Sequence, residues 1–437
     1  MRKFWLTGAA SIVIAIAAAP VAIGQAVTPP SPVQAASAAD PAALARSYVA
    51  SSKVPGIVIA YARGDTAPTI AAAGALASDA GARKADADSL WRVYSMTKPI
   101  TGMAAMMLIE DGKLRLDQPI SDFIPGFKTS KVLTDPANSL ASRPAARPIT
   151  VRHLLTHTAG LGYTIITKGP LLAEYNRLGI VPAALAPALE PELRKVRPTS
   201  LKAFADRVAT LPLIADPGTL FSYSISLDVL ARVIEVAGGM PFERFLETRM
   251  FKPLGMNSTY WTVPQSEIGR FATNYLIGEN GMAAFDRPES SAFTSPPSFP
   301  YGGAGLVMSA RDYDRFLHML VNEGALGGKR VMKRETVRLA MSNLLPEGVP
   351  AFSIPGRSGG DLAAVKMGFG AGGSVYLSDA PGGPAKGTYG WGGAAGTAAW
   401  VDPVNKVRAT VMVNYMPPGK WPLREDAVDA IYGPARK

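Results

Sequence analysis

The chain has 437 residues, of which 48% are hydrophobic and 18% are charged, so it is long enough to bury a large core. This composition excludes a disordered protein. The sequence contains no cysteine and 3 histidines, which excludes disulfides, cysteine nucleophiles and thiolate metal sites and leaves few ligands for any other metal. The net charge of +11 comes from scattered Lys and Arg residues rather than a basic run, and we expect no nucleic-acid partner.

The first 26 residues have the pattern of a secretory signal peptide. An Arg-Lys pair precedes an apolar run over residues 4–23, and small residues around Gly24 and Ala26 fit a cleavage site. Residues 27–39 are rich in Pro, Ala and Ser and predict a flexible lead-in. We therefore expect an exported protein, periplasmic or secreted, with no membrane span once the signal is removed. Because the apolar run is long, an uncleaved N-terminal anchor stays open as an alternative.

The predicted elements of the remaining chain are mixed at both ends and mostly helical between them. Residues 40–119 begin with a helix capped by Asp40, continue with strands near 56–62 and 69–73, and end with a long apolar helix. Further helices are predicted over 151–158, 200–211, 227–237, 242–251, 311–323 and 423–432, and further strands over 374–377, 397–401 and 407–414. We therefore expect an α/β domain built from residues 40–119 and 301–437, with a mostly helical domain over 120–300 inserted between them.

A candidate nucleophile occurs at the start of the long apolar helix, in the segment Ser95-Met96-Thr97-Lys98. A serine hydroxyl is a poor nucleophile until a base takes its proton, and residues three apart on a helix share one face. An ordinary lysine is protonated at pH 7, so a lysine base requires burial or a second group that shares the role. The amide of Ser95 would also lie at the positive end of the helix, where it can donate to an oxyanion. Alone, the segment is more typical of a capped helix start.

Three further segments can complete a site around Ser95. Residues 221–226 place Tyr223 at a loop-to-helix junction, where a phenol can point into a cleft. Residues 389–394 contain glycines that allow a substrate to approach closely, and an amide there can be the second oxyanion donor. Residues 154–161 contain His157, which we interpret as a structural hydrogen-bonding residue rather than a base.

The order of these motifs resembles a known family. Ser-Met-Thr-Lys, Leu-Leu-Thr-His-Thr-Ala-Gly-Leu, Tyr-Ser-Ile and Trp-Gly-Gly follow one another as in the penicillin-recognising serine hydrolases. Among these, the sequence is most similar to the class C β-lactamase-like esterases, also called family VIII carboxylesterases, from about residue 42 to residue 432. The resemblance implies a β-lactamase/transpeptidase-like fold, α/β plus all-α, with an antiparallel sheet flanked by helices and an inserted helical domain. The active site would lie in the cleft between the two domains.

The resemblance also implies a role for each motif. Ser95 would be the acylated nucleophile, Lys98 the base or its activator, and Tyr223 the group that relays the proton to the leaving group and from the deacylating water. The backbone N–H groups of Ser95 and Ala394 would form the oxyanion hole. The residues implied to line the substrate pocket are Tyr163, Trp391, Gly392 and Gly393.

Two departures from the lactamase pattern determine the expected substrate. Ile225 stands where lactamases have an Asn that bonds the substrate amide, and Trp391 replaces a lysine that meets the lactam carboxylate. A pocket without these polar groups discriminates poorly for β-lactams, whereas an apolar indole suits an ester. We therefore expect a serine hydrolase for small or medium carboxylic esters. The alternatives are a β-lactamase, a D-amino-acid peptidase or an acyltransferase on the same site, or a catalytically idle binding protein of this fold.

The other motifs in the sequence favour a structural role over a functional one. Gly-x-Ser-x-Gly occurs at residues 356–360, but the α/β-hydrolase elbow requires a preceding core strand and a histidine after the serine. Gly-x-Gly-x-x-Gly occurs at residues 368–373 and is followed by a strand-like run, so we interpret it as a turn or a close-packed strand edge. His153 and His157 lack the intervening Glu of a zinc helix, and we expect no metal and no cofactor.

Overall fold

Helices and strands alternate along the computed structural model, which describes residues 40–184, 186–350, 352–354 and 365–433. Within these residues the helices are α1 (Pro41–Ala50), α2 (Thr97–Glu110), α3 (Val151–Leu155), α4 (Gly169–Arg177), α5 (Glu190–Val196), α6 (Leu201–Ala209), α7 (Ser226–Gly238), α8 (Phe242–Leu246), α9 (Lys252–Leu254), α10 (Ala310–Val321), α11 (Arg334–Ala340) and α12 (Leu423–Tyr432). The strands of the described residues are β1 (Gly56–Arg63), β2 (Thr69–Gly74), β3 (Leu90–Arg92), β4 (Lys131–Leu133), β5 (Ser142–Pro144), β6 (Thr259–Tyr260), β7 (Asn274–Gly278), β8 (Gly281–Asp286), β9 (Val307–Ser309), β10 (Ala325–Leu326), β11 (Lys329–Arg330), β12 (Phe352–Ile354), β13 (Val365–Phe369), β14 (Ser374–Tyr376), β15 (Tyr389–Gly392), β16 (Ala398–Asp402), β17 (Val407–Met412) and β18 (Tyr415–Met416).

The largest sheet has eight antiparallel strands in the order β12-β13-β14-β15-β16-β17-β1-β2. Strands β1 and β2 come from the beginning of the described chain, and the other strands come from its end. Strand β1 lies between β17 and β2, so that Ile59 is opposite Val411 on one side and Ala71 on the other. The two ends of the chain therefore form a single sheet.

Helices cover both faces of this sheet. Both faces of strand β1 are therefore apolar and buried. Ile57 and Ile59 belong to a core that they share with α1 and α12, whereas Val58 and Ala60 belong to a larger core shared with α2 and α10. This alternation is the two-residue period of a strand, and burial on both faces explains the continuous apolar run in the sequence. The result is the predicted antiparallel sheet flanked by helices.

Helix α2 is enclosed on all sides. Every residue from Thr97 to Leu108 is buried, which is typical of a core helix rather than of a surface helix with one apolar stripe. The helix packs against α7 and α11. Because the first turn of α2 carries Lys98, the packing that buries the helix also buries this side chain.

The middle of the chain contains most of the helices and also a hairpin that the sequence analysis did not predict. Strands β7 and β8 pair antiparallel, and β18 adds to β7 in parallel. The hairpin strands are largely exposed and contain few β-branched residues, which weakens the sequence signal for a strand. The Asn280-Gly281 pair at the turn was the available signal. The division into an α/β domain and an inserted helical domain stays a prediction. One apolar cluster contains residues from both predicted domains, such as Met103 from the first and Leu230 from the second.

The first helix begins where the sequence predicts, although it ends at Ala50 rather than near Val54, and the last helix has its predicted bounds. Asp40 accepts the N–H groups of Ala42 and Ala43 at 2.9 and 3.0 Å, and Pro41 begins α1. Helix α12 has the predicted bounds of 423–432. In the part of the chain that the structure describes, no helix is both long enough and apolar enough to cross a membrane.

Helix α2 contains one glycine that its packing requires. A Cβ atom on Gly102 would lie 2.1 Å from the carbonyl oxygen of Ala371, in the turn between β13 and β14. We predict that Gly102→Ala destabilises the protein by about 1–3 kcal/mol through overpacking, although alanine favours helices. The measurement is the midpoint of chemical unfolding. Gly269→Ala is the control, because among the described residues nothing lies within 4 Å of a Cβ there. Equal stability of the two variants would contradict the prediction.

Candidate active site

Ser95 lies in a short turn that joins strand β3 to helix α2. The turn spans Tyr94–Met96, and α2 begins at Thr97. Tyr94 has a φ of 41°, a left-handed conformation that costs free energy in a residue other than glycine. Its ring is buried and packs edge-on against Phe293, with 5.9 Å between ring centroids. The turn leaves the side chain of Ser95 partly exposed between two buried neighbours.

The side chains of Lys98 and Tyr223 converge on the hydroxyl of Ser95. Lys98 Nζ donates a hydrogen bond to Ser95 Oγ at 3.1 Å, and the Tyr223 hydroxyl donates one to the same atom at 2.7 Å. Lys98 Nζ also donates to the carbonyl oxygen of Gly303 at 2.8 Å. The structure therefore brings together the three candidate catalytic residues that the sequence analysis selected, with both proton-transfer candidates at hydrogen-bond distance from the candidate nucleophile.

Lys98 has no exposed surface, although it is charged in its usual state. Its Nζ atom lies 4.6 Å from the centroid of the Tyr223 ring and 5.7 Å from that of Tyr163. Aromatic faces attract cations at these distances and replace part of the lost hydration. Tyr163 is only 6% exposed, so it supports Lys98 and Tyr223 from within the protein more than it lines the cleft.

Tyr223 is held between several aromatic rings at the start of α7. Its ring centroid lies 4.7 Å from that of His157 and 5.7 Å from that of Trp391. The indole Nε1 of Trp391 points to the Tyr223 hydroxyl oxygen at 3.5 Å, where it donates a long hydrogen bond. Trp391 packs in turn against Phe369, with 5.1 Å between ring centroids. An apolar aromatic wall therefore fixes the phenol while a donor faces its oxygen.

The end of strand β15 lies beside the nucleophile turn. A Cβ atom on Gly393 would lie 2.4 Å from the carbonyl oxygen of Val93 and 2.2 Å from Thr397 Oγ1, so only glycine fits there. The next residue is Ala394. Its backbone N–H and that of Ser95 stay the predicted oxyanion donors, since two amides beside a serine hydroxyl would stabilise the charge that develops on a carbonyl oxygen.

His157 contacts Tyr223 and bonds to a pair of buried serines. Its Nδ1 lies 2.9 Å from Ser224 Oγ, which lies 2.6 Å from Ser226 Oγ. Burial, with a smaller contribution from the charge of Lys98, holds the pKa of His157 well below its usual range. The ring is therefore neutral near pH 7, in agreement with a structural role.

Ile225 does not face the cleft. It precedes helix α7, has 0% exposure and packs into the main core, while its backbone N–H donates to the Gly162 carbonyl at 3.2 Å. Compared with the lactamase asparagine, Ile225 therefore removes a hydrogen-bond donor from the site but adds no apolar wall to the cleft. Trp391 and Gly392 are partly exposed and remain available to line a pocket.

Sequence reasoning missed two contributors to the site. The Gly303 carbonyl accepts from Lys98, and the Gly303 N–H donates to the buried carboxylate of Asp228 at 2.8 Å. The run of glycines at 302–305 was a signal that a backbone segment approaches closely. For Asp228 the available signal was weak, because α7 also carries Arg232 and Glu235 and a carboxylate in a first helical turn is common.

The other motifs do not form sites in the described residues. The Gly-x-Gly-x-x-Gly segment is the turn between β13 and β14, as predicted, whereas the Gly-x-Ser-x-Gly segment at 356–360 lies outside the described residues. His153 caps α3 by accepting the Thr150 N–H at 3.1 Å, and burial lowers its pKa to about 4. Over the described ranges, no group of three or more His, Asp or Glu side chains is placed to hold a metal ion.

Comparison with known proteins gives a family. The beta-lactamase family model matches residues 42–432. The chain is 34% identical over 354 residues to an uncharacterized protein of Mycobacterium tuberculosis, covering 79% of this chain and 81% of that protein. It is 30% identical over 368 residues to Esterase EstB of Burkholderia gladioli, covering 79% and 82%. Among solved structures it resembles EstCE1, described as a hydrolase with promiscuous acyltransferase activity, with a TM-score of 0.71, 24% identity and coverage of 90% and 97%.

These matches confirm two of the expectations from sequence. The resemblance to β-lactamase-like serine hydrolases is confirmed, as is the β-lactamase/transpeptidase-like fold. The relatives support an enzyme of the hydrolase type. The roles of individual residues stay predictions, and they rest on the geometry described above.

Tyr223 gives the most direct test of this geometry. We predict that Tyr223→Phe lowers kcat for ester hydrolysis by about a hundredfold or more, because the ring remains but the proton-transfer group is lost. Trp391→Phe should lower kcat less, by roughly tenfold, since only a long hydrogen bond is removed. The measurement is steady-state kinetics on p-nitrophenyl butyrate.

Tyr260→Phe is the matched control for the loss of a phenol. Its hydroxyl donates to the Asn257 carbonyl at 3.0 Å rather than to the site, so we expect turnover of the wild-type enzyme. Wild-type turnover in Tyr223→Phe would contradict the assigned geometry.

Proposed function

The chain belongs to the beta-lactamase family, and we propose that it is a serine carboxylesterase that cleaves small or medium esters through a covalent acyl-enzyme. The observation that carries this proposal is the convergence of Lys98 and Tyr223 on Ser95 Oγ, at 3.1 and 2.7 Å. Activation of a serine by an adjacent proton acceptor is the requirement for acyl transfer.

Acylation follows from this arrangement. For this step the Lys98–Tyr223 pair holds one proton fewer than a lysine cation beside a neutral phenol. Ser95 Oγ attacks the ester carbonyl carbon and its proton passes to the vacant position on this pair, while the carbonyl oxygen becomes an oxyanion. The N–H groups of Ser95 and Ala394 stabilise that charge, each by about 3–4 kcal/mol if it behaves as a typical oxyanion donor. The bond to the alkoxy group then breaks, and Tyr223 supplies the proton that the departing alcohol needs.

Deacylation repeats the same steps with water. A water molecule loses its proton to the Lys98–Tyr223 pair and attacks the acyl carbon, and the proton returns to Ser95 Oγ as the acid departs. The two steps therefore return every group to its initial state. Lys98 and Tyr223 interact so closely that the proton is best assigned to the pair rather than to either residue.

The aromatic wall supports an ester over a β-lactam. Trp391 stands where the lactamases resembled by the sequence have a lysine, and it carries no charge to pair with a lactam carboxylate. Its partly exposed indole, which packs on the buried ring of Phe369, offers an apolar surface suited to the acyl or alkoxy part of an ester. The esterase relative EstB agrees with this preference.

Acyl transfer is the second candidate, because the structural relative EstCE1 is described as having promiscuous acyltransferase activity. In that reaction an alcohol replaces water as the second nucleophile at the same site. β-Lactam or D-amino-acid peptide hydrolysis would use the same residues on an amide, and an idle binding protein would leave Ser95 unreactive.

We also propose that the protein is exported, because its first 26 residues resemble a signal peptide. N-terminal sequencing of the purified protein tests this proposal.

A paired rate assay tests the proposal. Wild-type protein should hydrolyse p-nitrophenyl butyrate and should turn over nitrocefin slowly or not at all. Ser95→Ala should lose at least about a thousandfold of the ester activity while it keeps its fold, because no other group replaces the nucleophile. Ser47→Ala is the matched control, because Ser47 is an exposed serine of α1 whose hydroxyl donates to the Leu44 carbonyl of the same helix at 2.8 Å.

Each other outcome identifies one alternative. Fast nitrocefin turnover would contradict the ester preference and favour a β-lactamase. Ester activity that persists in Ser95→Ala would overturn the assignment of the nucleophile. A folded wild-type protein that turns over neither substrate would favour the binding protein, and an alcohol that diverts the acyl group into a new ester would favour the acyltransferase.

A further inference from the structure

Asp228 is a buried carboxylate close to the catalytic lysine. It lies in the first turn of α7 and is 1% exposed. One carboxylate oxygen, Oδ1, accepts the Gly303 N–H at 2.8 Å, and within the described residues Oδ2 has no hydrogen-bond partner. The carbonyl of the same glycine accepts from Lys98 Nζ at 2.8 Å. A continuous path of hydrogen bonds therefore runs from Asp228 through Gly303 and Lys98 to Ser95.

Burying the charge of this carboxylate costs more free energy than its structural role alone requires. Burial raises the pKa of Asp228 to about 7, against the opposing effects of the Lys98 charge and of the N–H groups of Gly303 and of its own residue. An asparagine could accept the same Gly303 hydrogen bond without the desolvation of a charge. Because a neutral residue would satisfy the backbone, the negative charge itself is the feature that requires an explanation.

We infer that Asp228 is a positioning residue for Lys98. Its ionised carboxylate fixes the Gly303 peptide, so that the carbonyl directs Lys98 Nζ at Ser95, and it supplies the counter-charge that Lys98 lacks in its buried site. A Cβ atom on Gly303 would lie 2.6 Å from Asp228 Oδ2, which shows how closely the carboxylate and this peptide are packed. The inference rests on the proposed esterase activity, since its readout is ester turnover.

The titration of Asp228 can be distinguished from that of His157 and Tyr163, which lie in the same part of the site. The titratable side chains that interact with Asp228 are Lys98 and Tyr163, and Lys98 in turn interacts with Tyr223 and His157. Burial holds the pKa of His157 well below its usual range, and it raises the pKa of Tyr163 well above the usual range of a tyrosine. Neither of these two groups therefore changes charge near pH 7, where Asp228 ionises.

The experiment is the pH profile of kcat/KM for p-nitrophenyl butyrate in the wild type and in Asp228→Asn, from about pH 5.5 to about pH 8.5. In the wild type, kcat/KM should fall as the pH falls through about 7, because protonation of Asp228 removes the counter-charge of Lys98. Asp228→Asn keeps the acceptor for Gly303 but is permanently neutral. It should therefore be roughly tenfold slower at high pH, approach the wild type at low pH, and show no such limb.

Asp312→Asn is the matched control. Asp312 is also a buried carboxylate that accepts a backbone N–H, from Ser258, and its pKa is also raised by burial. Among the described residues its side chain bonds to Ser258 and Thr259 and not to Ser95, Lys98 or Tyr223. We expect its profile to parallel that of the wild type. Melting temperatures at each pH verify that the variants are folded over the range.

The outcomes separate this inference from the proposed function. A ratio of wild-type to Asp228→Asn activity that is the same at every pH would show a merely structural role and overturn the inference. A wild-type profile with no limb near pH 7 would overturn it as well, and this measurement needs no variant to fold. Absence of any ester turnover in the folded wild type would instead overturn the proposed esterase.

Discussion

The burial of Lys98 is the constraint on which the rest of the site depends. A lysine with no exposed surface loses the water that would solvate its amine, and this loss is compensated only when other groups take the place of water. Here those groups are the Gly303 carbonyl, the Ser95 hydroxyl and the face of the Tyr223 ring. Three separate segments of the chain must therefore meet at one atom, and the fold has to hold them in register.

The packing of α2 provides this register. Thr101 Oγ1 donates to the Gly302 carbonyl at 2.6 Å, and the Leu306 N–H donates to Thr97 Oγ1 at 3.2 Å, so the glycine segment follows the first turn of the helix. The Tyr313 hydroxyl, from α10, donates to the Met96 carbonyl at 3.0 Å beside the nucleophile turn. The position of Lys98 is thus a consequence of buried hydrogen bonds along α2, which explains how a core helix can carry the proposed catalytic lysine.

Local patterns predicted much of this structure, and contacts between distant segments explain what they did not predict. Ser95 and Lys98 are three residues apart, and Tyr223 lies at a helix start, so each belongs to a short motif. The order of these motifs along the chain, which resembles that of a known family, selected the three residues. Asp228 meets Gly303 across 75 residues of sequence, and no local pattern encodes that contact. The direction of the Ile225 side chain also depends on tertiary packing, because either side of a loop-to-helix junction can face the core. Strand β1 was predictable because its residues form a continuous apolar run, whereas the exposed hairpin β7–β8 was not.

The central claim is that Ser95 forms the covalent bond with the acyl group. The most direct measurement is mass spectrometry of the folded protein after reaction with a serine-directed fluorophosphonate, followed by peptide mapping of the modified residue. The account predicts one adduct per chain, on Ser95, and no adduct in Ser95→Ala. An adduct on another serine, such as Ser358 of the Gly-x-Ser-x-Gly segment, or labelling that persists in Ser95→Ala, would contradict it.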